Sequence, residues 1–388
     1  MAARSSTPAR VALASLLAIG CTDGPGMEPP ARVSTMDLEL FGEDTAATSV
    51  LDVAPAPDGG WVTLNTGGSP VTVYDGQTRE PVLWLGRRGS GPGDFTGPSN
   101  FAAPATDGVA HVWDASRRVI LGQDLLGGSA TDSSPPSLPP GGHFVSSLRR
   151  LSPASPERLV RIGGGVVYQR QTGVAARPGD LRQMTLVFVG LDGSTSVIYD
   201  GVSALEATDA SELVEVPLWA PCGNEGVVYY DPGSSSTTWW RPLWPEPVSV
   251  ALDLEPEPLT LAHAKSYMRA VAVEELRSRG AALPSDAELD RMIDPRVSEV
   301  RRMMPDSLPA ISAILCGPDQ RAYISRFDPD RMPLGIGPIW IRISPQGEQD
   351  EIVLPTGFIP LVATGGVMAG VYTDSTGLEQ LAVTRLVE

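Results

Sequence analysis

The 388-residue sequence predicts an all-β fold of repeated sheets, on three observations. First, 41 Gly and 37 Pro suit many short strands joined by tight turns rather than long helices. Second, segments repeat. Ala54-Pro55-Ala56-Pro57-Asp58-Gly59 matches Ala103-Pro104-Ala105-Thr106-Asp107-Gly108, and Cys222-Gly223-Asn224-Glu225 with Tyr229 matches Cys316-Gly317-Pro318-Asp319 with Tyr323. Third, each unit reads as an apolar strand, a turn, and a strand with an aromatic and a closing Asp: HVWD at Asp114, VYYD at Asp231, SRFD at Asp328 and VYTD at Asp374. Self-similarity at about 40–50 residues marks propeller blades, because one blade cannot bury both of its faces alone. The expected fold is a six-bladed β-propeller with a short helical insertion.

The N-terminus comes first in the chain. Arg4 and Arg10 form a basic start, and Val11 to Ile19 is an uncharged, largely apolar run of about nine residues, too short to span a membrane and suited to a signal-peptide core. Residues 1–20 are therefore expected to be a lipoprotein signal peptide. Ala18-Ile19-Gly20-Cys21 resembles the bacterial lipobox, with Ala18 in place of the usual Leu and Leu16 and Leu17 just upstream. Cys21 is the expected lipid-attachment residue and the first residue of the mature chain. Residues 21–32 are polar and rich in Gly and Pro, the composition of a flexible tether. A lipid anchor there puts the protein on the bacterial envelope, and Thr22 after the Cys, in place of Asp, favours the outer membrane.

Residues 33–388 are assigned to the propeller, with blades near 46–89, 97–135, 143–203, 213–258, 306–355 and 356–388. The unassigned strand Val33–Phe41 is placed to complete the last blade and close the ring. Strand patterns end in Asp-Gly turns at Asp75-Gly76 and Asp192-Gly193, the strongest short hairpin signal. Ile339-Trp340-Ile341-Arg342-Ile343 alternates with period two. Residues 260–304 break the pattern. Ala264, Met268, Val271 and Leu276 form a helical stripe ended by Gly280. Ser285 with Glu288 forms a capping box, and Asp294-Pro295 reads as the start of a third helix. The insertion is expected to cover a blade edge or the channel mouth; a lid or partner-binding arm is the functional alternative.

LGRRGSGPGDFTGPSNF, from Leu85 to Phe101, precedes a strand, a turn at Asp107-Gly108 and the strand end HVWD. It resembles the blade boundary of NHL-type propellers. SLPAISAIL, RAYISRFDP, IWIRISPQG, IVLPTGFIPL and GVYTDSTGLEQLAVTRL, between Ser307 and Leu386, resemble the final blades of NHL-like bacterial envelope lipoproteins. The resemblance covers most of Val33–Glu388 and implies a fold and an envelope location. It implies no reaction.

The chemistry-bearing residues are sparse. Net charge is −17, which argues against nucleic acid, whose backbone is met with Lys and Arg. Lys265 is the only Lys, which weakens any mechanism that needs one. GRRGSGPGD lacks the Lys-Ser/Thr of a phosphate loop and runs into a strand, so its glycines read as an inter-blade turn with Phe95 packed between blades. His111, His143 and His263 are the only histidines, and no HExxH, GxSxG or Cys/His zinc spacing is present. Asp114, Asp231, Asp328 and Asp374 recur at equivalent positions. A propeller would array them on one rim, where oxygen ligands could hold Ca²⁺ for a lactonase- or esterase-like hydrolase. The structural alternative, that each Asp accepts backbone N–H bonds in its own turn, fits the recurrence better.

Cys222 and Cys316 are the remaining thiols, and an oxidising compartment permits a disulfide. Equivalent points on fanned blades are expected to stand too far apart for one, so the balance falls slightly against the bond. The sequence thus points to a lipid-anchored, extracytoplasmic propeller that binds a protein or glycan partner. It contacts the membrane through its anchor, binds no nucleic acid and carries no cofactor. The alternative is the calcium-dependent hydrolase, and a weaker third reading docks the chain onto an envelope complex through its helices.

Overall fold

The computed structural model describes residues 32–35, 38–42, 50–66, 69–91, 94–105, 108–125, 158–172, 182–203, 213, 217–278, 282–332, 334–374 and 379–387. The chain divides into Met1–Pro30 and Ala31–Glu388, and every described residue belongs to the second unit. Cys21, His143 and Gly280 lie outside the described residues.

The unit is a six-bladed β-propeller. Two short strands, β1 (Arg32–Thr35) and β2 (Glu39–Phe41), precede the first blade. Blade 1 is β3 (Val50–Pro55), β4 (Trp61–Asn65), β5 (Val71–Tyr74) and β6 (Pro81–Leu85). Blade 2 shows β7 (Pro98–Phe101), β8 (Val109–Asp114) and β9 (Val119–Asp124) among its described residues. Blade 3 is β10 (Leu159–Ile162), β11 (Gly165–Thr172), β12 (Arg182–Gly190) and β13 (Thr195–Ser203). Blade 4 is β14 (Leu218–Cys222), β15 (Gly226–Asp231), β16 (Ser236–Trp240) and β17 (Val248–Ala251). Blade 5 is β18 (Ile311–Cys316), β19 (Ala322–Phe327), β20 (Ile336–Ile343) and β21 (Gln349–Val353). Blade 6 is β22 (Phe358–Thr364), β23 (Val367–Thr373) and β24 (Glu379–Val387). All neighbours within a blade are antiparallel.

Alternation along the strands builds the ring. Side chains of a strand point to opposite faces in turn, and here both faces are buried. In β15, Val227 and Tyr229 pack toward blade 3, while Val228 and Tyr230 pack toward blade 5. In β19, Ile324 packs toward blade 4 and Tyr323 toward blade 6. Six apolar clusters result, one between each pair of neighbouring blades, including one between blades 6 and 1. The glycine-rich connector after β6 serves the first of them. Gly86 has φ +74, and the Phe95 ring lies where a Gly86 Cβ would stand. Phe95 is fully buried between blades 1 and 2.

The N-terminal strands close the ring and divide the task expected of one. β2 pairs antiparallel with β24 and completes blade 6. β1 pairs parallel with β21 and antiparallel with β24, so it joins blades 5 and 6. Arg32, assigned to the tether by composition, is the first residue of β1.

The insertion between β17 and β18 is two helices, α1 (Leu261–Ser278) and α2 (Asp286–Met303). The expected second and third helices are one. Leu289, Ile293 and Val297 form a continuous buried stripe across Pro295, and the carbonyl that Pro295 leaves unpaired belongs to the exposed Arg291. The Glu288 carboxylate accepts the Ser285 N–H at 2.9 Å, as the capping box requires. Lys265 pairs with Asp290 and Asp294 across the hairpin. Ala264, Tyr267 and Val297 pack with Leu259, Leu308 and Phe327, against the end of β19.

Ring closure should be fragile at Phe41. It is buried in the cluster between blades 6 and 1, with its ring edge-on to Tyr74 at 6.4 Å. Phe41→Ala should cost about 3–4 kcal/mol. Urea unfolding checks this, and a loss under about 1 kcal/mol would mean that closure does not depend on this contact.

Candidate functional site

The first strand of each blade is innermost, so β3, β7, β10, β14, β18 and β22 surround the axis. Residues from or beside all six line one cavity of about 290 Å³. Many come from the ends of these strands or the turns that follow: Pro55, Ala102, Ala103, Pro104, Pro221, Gly223, Asn224, Cys316, Pro318 and Thr364. The mouth therefore lies on the rim that carries the turns from first to second strand. Antiparallel order puts the ends of the second strands, and the helical insertion, on the opposite rim. The helices do not form a lid over this mouth.

The walls are mainly Ala, Pro, Val and Leu, with Phe101 the aromatic among them. Asp52, Arg158 and Arg161 supply the charge. The Asp52 carboxylate accepts the Val53 N–H at 2.9 Å and the Phe101 N–H at 2.8 Å, which ties blade 1 to blade 2. Arg158 donates to the Trp219 carbonyl at 2.9 Å, and its guanidinium carbon lies 4.9 Å from the Trp219 ring centre. The Trp219 indole N–H in turn donates to Gln169 at 2.7 Å. Asp52 and Arg158 interact through space and make no direct hydrogen bond or ion pair. Burial pushes the Asp52 carboxyl above its ordinary range, and the Arg158 charge and the two N–H bonds offset part of that rise. Burial likewise lowers Arg158, with Asp52 opposing. Arg161 lines the same lumen, and its side chain makes no hydrogen bond or ion pair among the described residues.

A cavity that is mostly apolar, with a few convergent polar groups and shifted ionisations, has the make-up of a binding site. Its charged residues, Asp52, Arg158 and Arg161, were not singled out from sequence. The available signal was an acidic residue inside the apolar first strand VLDVAP and two arginines flanking LV in RLVRI. Nothing in the sequence joined the aspartate to the arginines, since β3 and β10 line one cavity only once the ring has closed.

The closing carboxylates stand elsewhere. Asp114 is buried and accepts the N–H groups of Thr96 at 2.7 Å, Gly97 at 3.1 Å and Arg117 at 3.0 Å. Asp231 accepts from the Tyr199 hydroxyl at 3.2 Å, the Gly233 N–H at 3.2 Å and the Ser234 hydroxyl at 2.7 Å. Burial first, and the Asp231 charge second, push the Tyr199 hydroxyl well above its ordinary value. Asp328 accepts the Asp330 N–H at 2.9 Å in a following 3-10 turn. Asp374 follows β23 and is also engaged. Each sits at the end of a second strand, away from the axis. Among the described residues no three His, Cys, Asp or Glu side chains gather as a metal site. His111 lies buried in β8, and His263 sits 3.7 Å from Glu257 beside the insertion.

Cys222 and Cys316 are joined in a disulfide with a Cα separation of 4.7 Å. The sequence balance fell slightly against this bond because equivalent points on fanned blades diverge. The two cysteines end β14 and β18, innermost strands, where neighbouring blades converge instead. Cys316 is also part of the pocket wall.

No family model matches the chain, and no curated protein matches it. Solved structures do. A supposed exported protein from Bacteroides fragilis NCTC 9343 aligns over 92% of this chain and 99% of its own, at TM-score 0.50 and 10% identity. A member of the DUF4221 family from Bacteroides vulgatus ATCC 8482 aligns over 92% of this chain and 98% of its own, at TM-score 0.50 and 8% identity. At such identity the similarity establishes the fold alone.

Two outcomes follow. The bond spans a sequence separation of 94, which the chain-entropy model values at about 4–5 kcal/mol. Paired Cys222→Ser and Cys316→Ser substitutions should lower the urea midpoint accordingly, and a denatured, unreduced chain should show no free thiol at either position. The second outcome concerns pH. A carboxyl whose folded pKa is raised is protonated more readily in the fold than in the unfolded chain. Its contribution to stability therefore rises as pH falls through the raised value and is complete below the ordinary carboxylate range. Relative to Asp52→Asn, the wild type should gain stability on acidification from neutral pH. A pH-independent difference in urea midpoint would show Asp52 to be unshifted.

Proposed function

We propose that this chain is a lipid-anchored, extracytoplasmic propeller of the bacterial envelope that acts as a binding scaffold, engaging a protein or glycan partner at the mouth of its central channel. The observation that carries it is the channel cavity, lined by all six blades and holding Asp52, Arg158 and Arg161 among apolar walls. Supporting the location are the lipobox at Cys21 and the Cys222–Cys316 bond, since disulfides persist in oxidising compartments. Of the two partner classes, the walls favour protein. Ala, Pro, Val and Leu suit an inserted apolar side chain, and few polar groups face the lumen to satisfy sugar hydroxyls. The calcium-dependent hydrolase has no comparable support, because Asp114, Asp231 and Asp328 already accept hydrogen bonds from nearby backbone and hydroxyl groups.

The test has two arms. Wild-type protein should fractionate with membranes, in the outer-membrane band, and Cys21→Ser should remain unprocessed or become soluble. A photoreactive residue at exposed Asn224, on the channel mouth, should crosslink a partner, and Ala103→Trp, which fills the channel, should abolish the adduct. Normal processing and membrane retention of Cys21→Ser would refute the anchor. Adducts unaffected by Ala103→Trp would move the partner off the channel.

A further inference from the structure

We infer that the central channel is a site for a small organic carboxylate with a compact apolar body. This rests on the binding role proposed for the channel, and not on the lipid anchor.

Charge decides the class of ligand. The chain as a whole carries −17, yet the lumen holds two arginines and one aspartate. Both oxygens of Asp52 already accept backbone N–H groups, so this carboxylate is fixed in place as a counter-charge. The arginines are not spent in the same way. Arg158 gives one N–H to the Trp219 carbonyl, and its other donors have no partner among the described residues. Arg158 lines the cavity, so its remaining donors can meet a ligand there. The Arg161 guanidinium has no partner among the described residues. Among the described residues one positive charge in the lumen has no counter-charge, and a monoanion balances it. A dianion such as a phosphate monoester would bring a second negative charge against a buried aspartate in a medium where charge is poorly screened.

Geometry agrees. A guanidinium offers a planar fork that matches the two oxygens of a carboxylate. Arg158 is held by its stacking on Trp219, so little freedom is lost when it binds. The cavity of about 290 Å³ equals roughly ten waters, room for a ligand of about ten non-hydrogen atoms. The apolar walls then cover the body of the ligand while a guanidinium holds its head.

The experiment is calorimetry on the intact, disulfide-bonded chain with phenylpropanoate and octanoate as carboxylates, phenylpropanamide as the neutral isostere and phenyl phosphate as the dianion. A carboxylate should bind at least about tenfold tighter than the amide, the scale of one charge-assisted hydrogen bond. Arg161→Gln should weaken carboxylate binding about tenfold and leave amide binding unchanged. Arg158→Gln should do the same; because it strands Asp52 without its cation, Arg161→Gln carries the test if that variant fails to fold. Equal binding of amide and carboxylate, or tighter binding of phenyl phosphate, would overturn the inference while leaving a binding channel. If no probe binds wild type, both the inference and the channel as a small-ligand site fall, and crosslinking at Asn224 then decides the partner reading on its own.

Discussion

The burial of both faces of every blade is the constraint on which the rest of the structure depends. A sheet with one apolar face can stand against solvent, but Val227 and Tyr229 point one way from β15 while Val228 and Tyr230 point the other. Each blade therefore needs two neighbours, and a finite row of blades always has two ends. Closing the row is the only arrangement that leaves no apolar face exposed. β2 closes it by completing blade 6, and Phe41 seals the seam against blade 1. β1 adds a bond from blade 6 to blade 5 at the outer edge, where an unpaired strand would otherwise be open to another chain.

The ring sets distances in opposite directions at its centre and its edge. Innermost strands of neighbouring blades converge, which is why Cys222 and Cys316 come within bonding range and why residues far apart in sequence line one cavity. Outer strands diverge. Carboxylates at the ends of second strands are thus spread around the ring and cannot gather on one ion, whatever their equivalence in the repeat. Recurrence in this fold follows the turn after each second strand, where the Arg117, Gly233 and Asp330 N–H groups donate to Asp114, Asp231 and Asp328. The lumen instead draws unlike residues from different blades, Asp52 from blade 1 and Arg158 with Arg161 from blade 3.

This contrast explains what could be read from sequence. Period-two strands, Asp-Gly turns such as the one with Gly193 at φ +82, the Phe95 connector and the insertion are local, and local chemistry is written in adjacent residues. Pro295 was misread for the same reason. A proline beside an aspartate resembles a helix start, and only the buried stripe from Leu289 to Val297, which needs α1 and blade 5 to cover it, carries the helix through. The cavity was not legible at all. Its residues belong to six blades, and their charges look like ordinary surface positions until the ring brings them to one axis.

The same ring also argues for the channel as the place where affinity can be built. Its first strands are held by hydrogen bonds on one side and by inter-blade clusters on both faces. The Cys222–Cys316 bond fixes two of them at the mouth. Ligand binding to such a wall costs little ordering, so the contacts made appear as net affinity. The helical insertion, the one element outside the repeat, packs at the end of β19 on the opposite rim and leaves the mouth unobstructed. Arg158 and Arg161 then act against an acidic background. An anion is repelled by the surface at long range, where salt screens the effect within about 8–10 Å. Inside the lumen screening is weak and the two guanidinium groups dominate. For the anion proposed above, selection would work through residence in the channel rather than through long-range capture. That suits a ligand delivered at high local concentration better than one that must be steered from bulk solution.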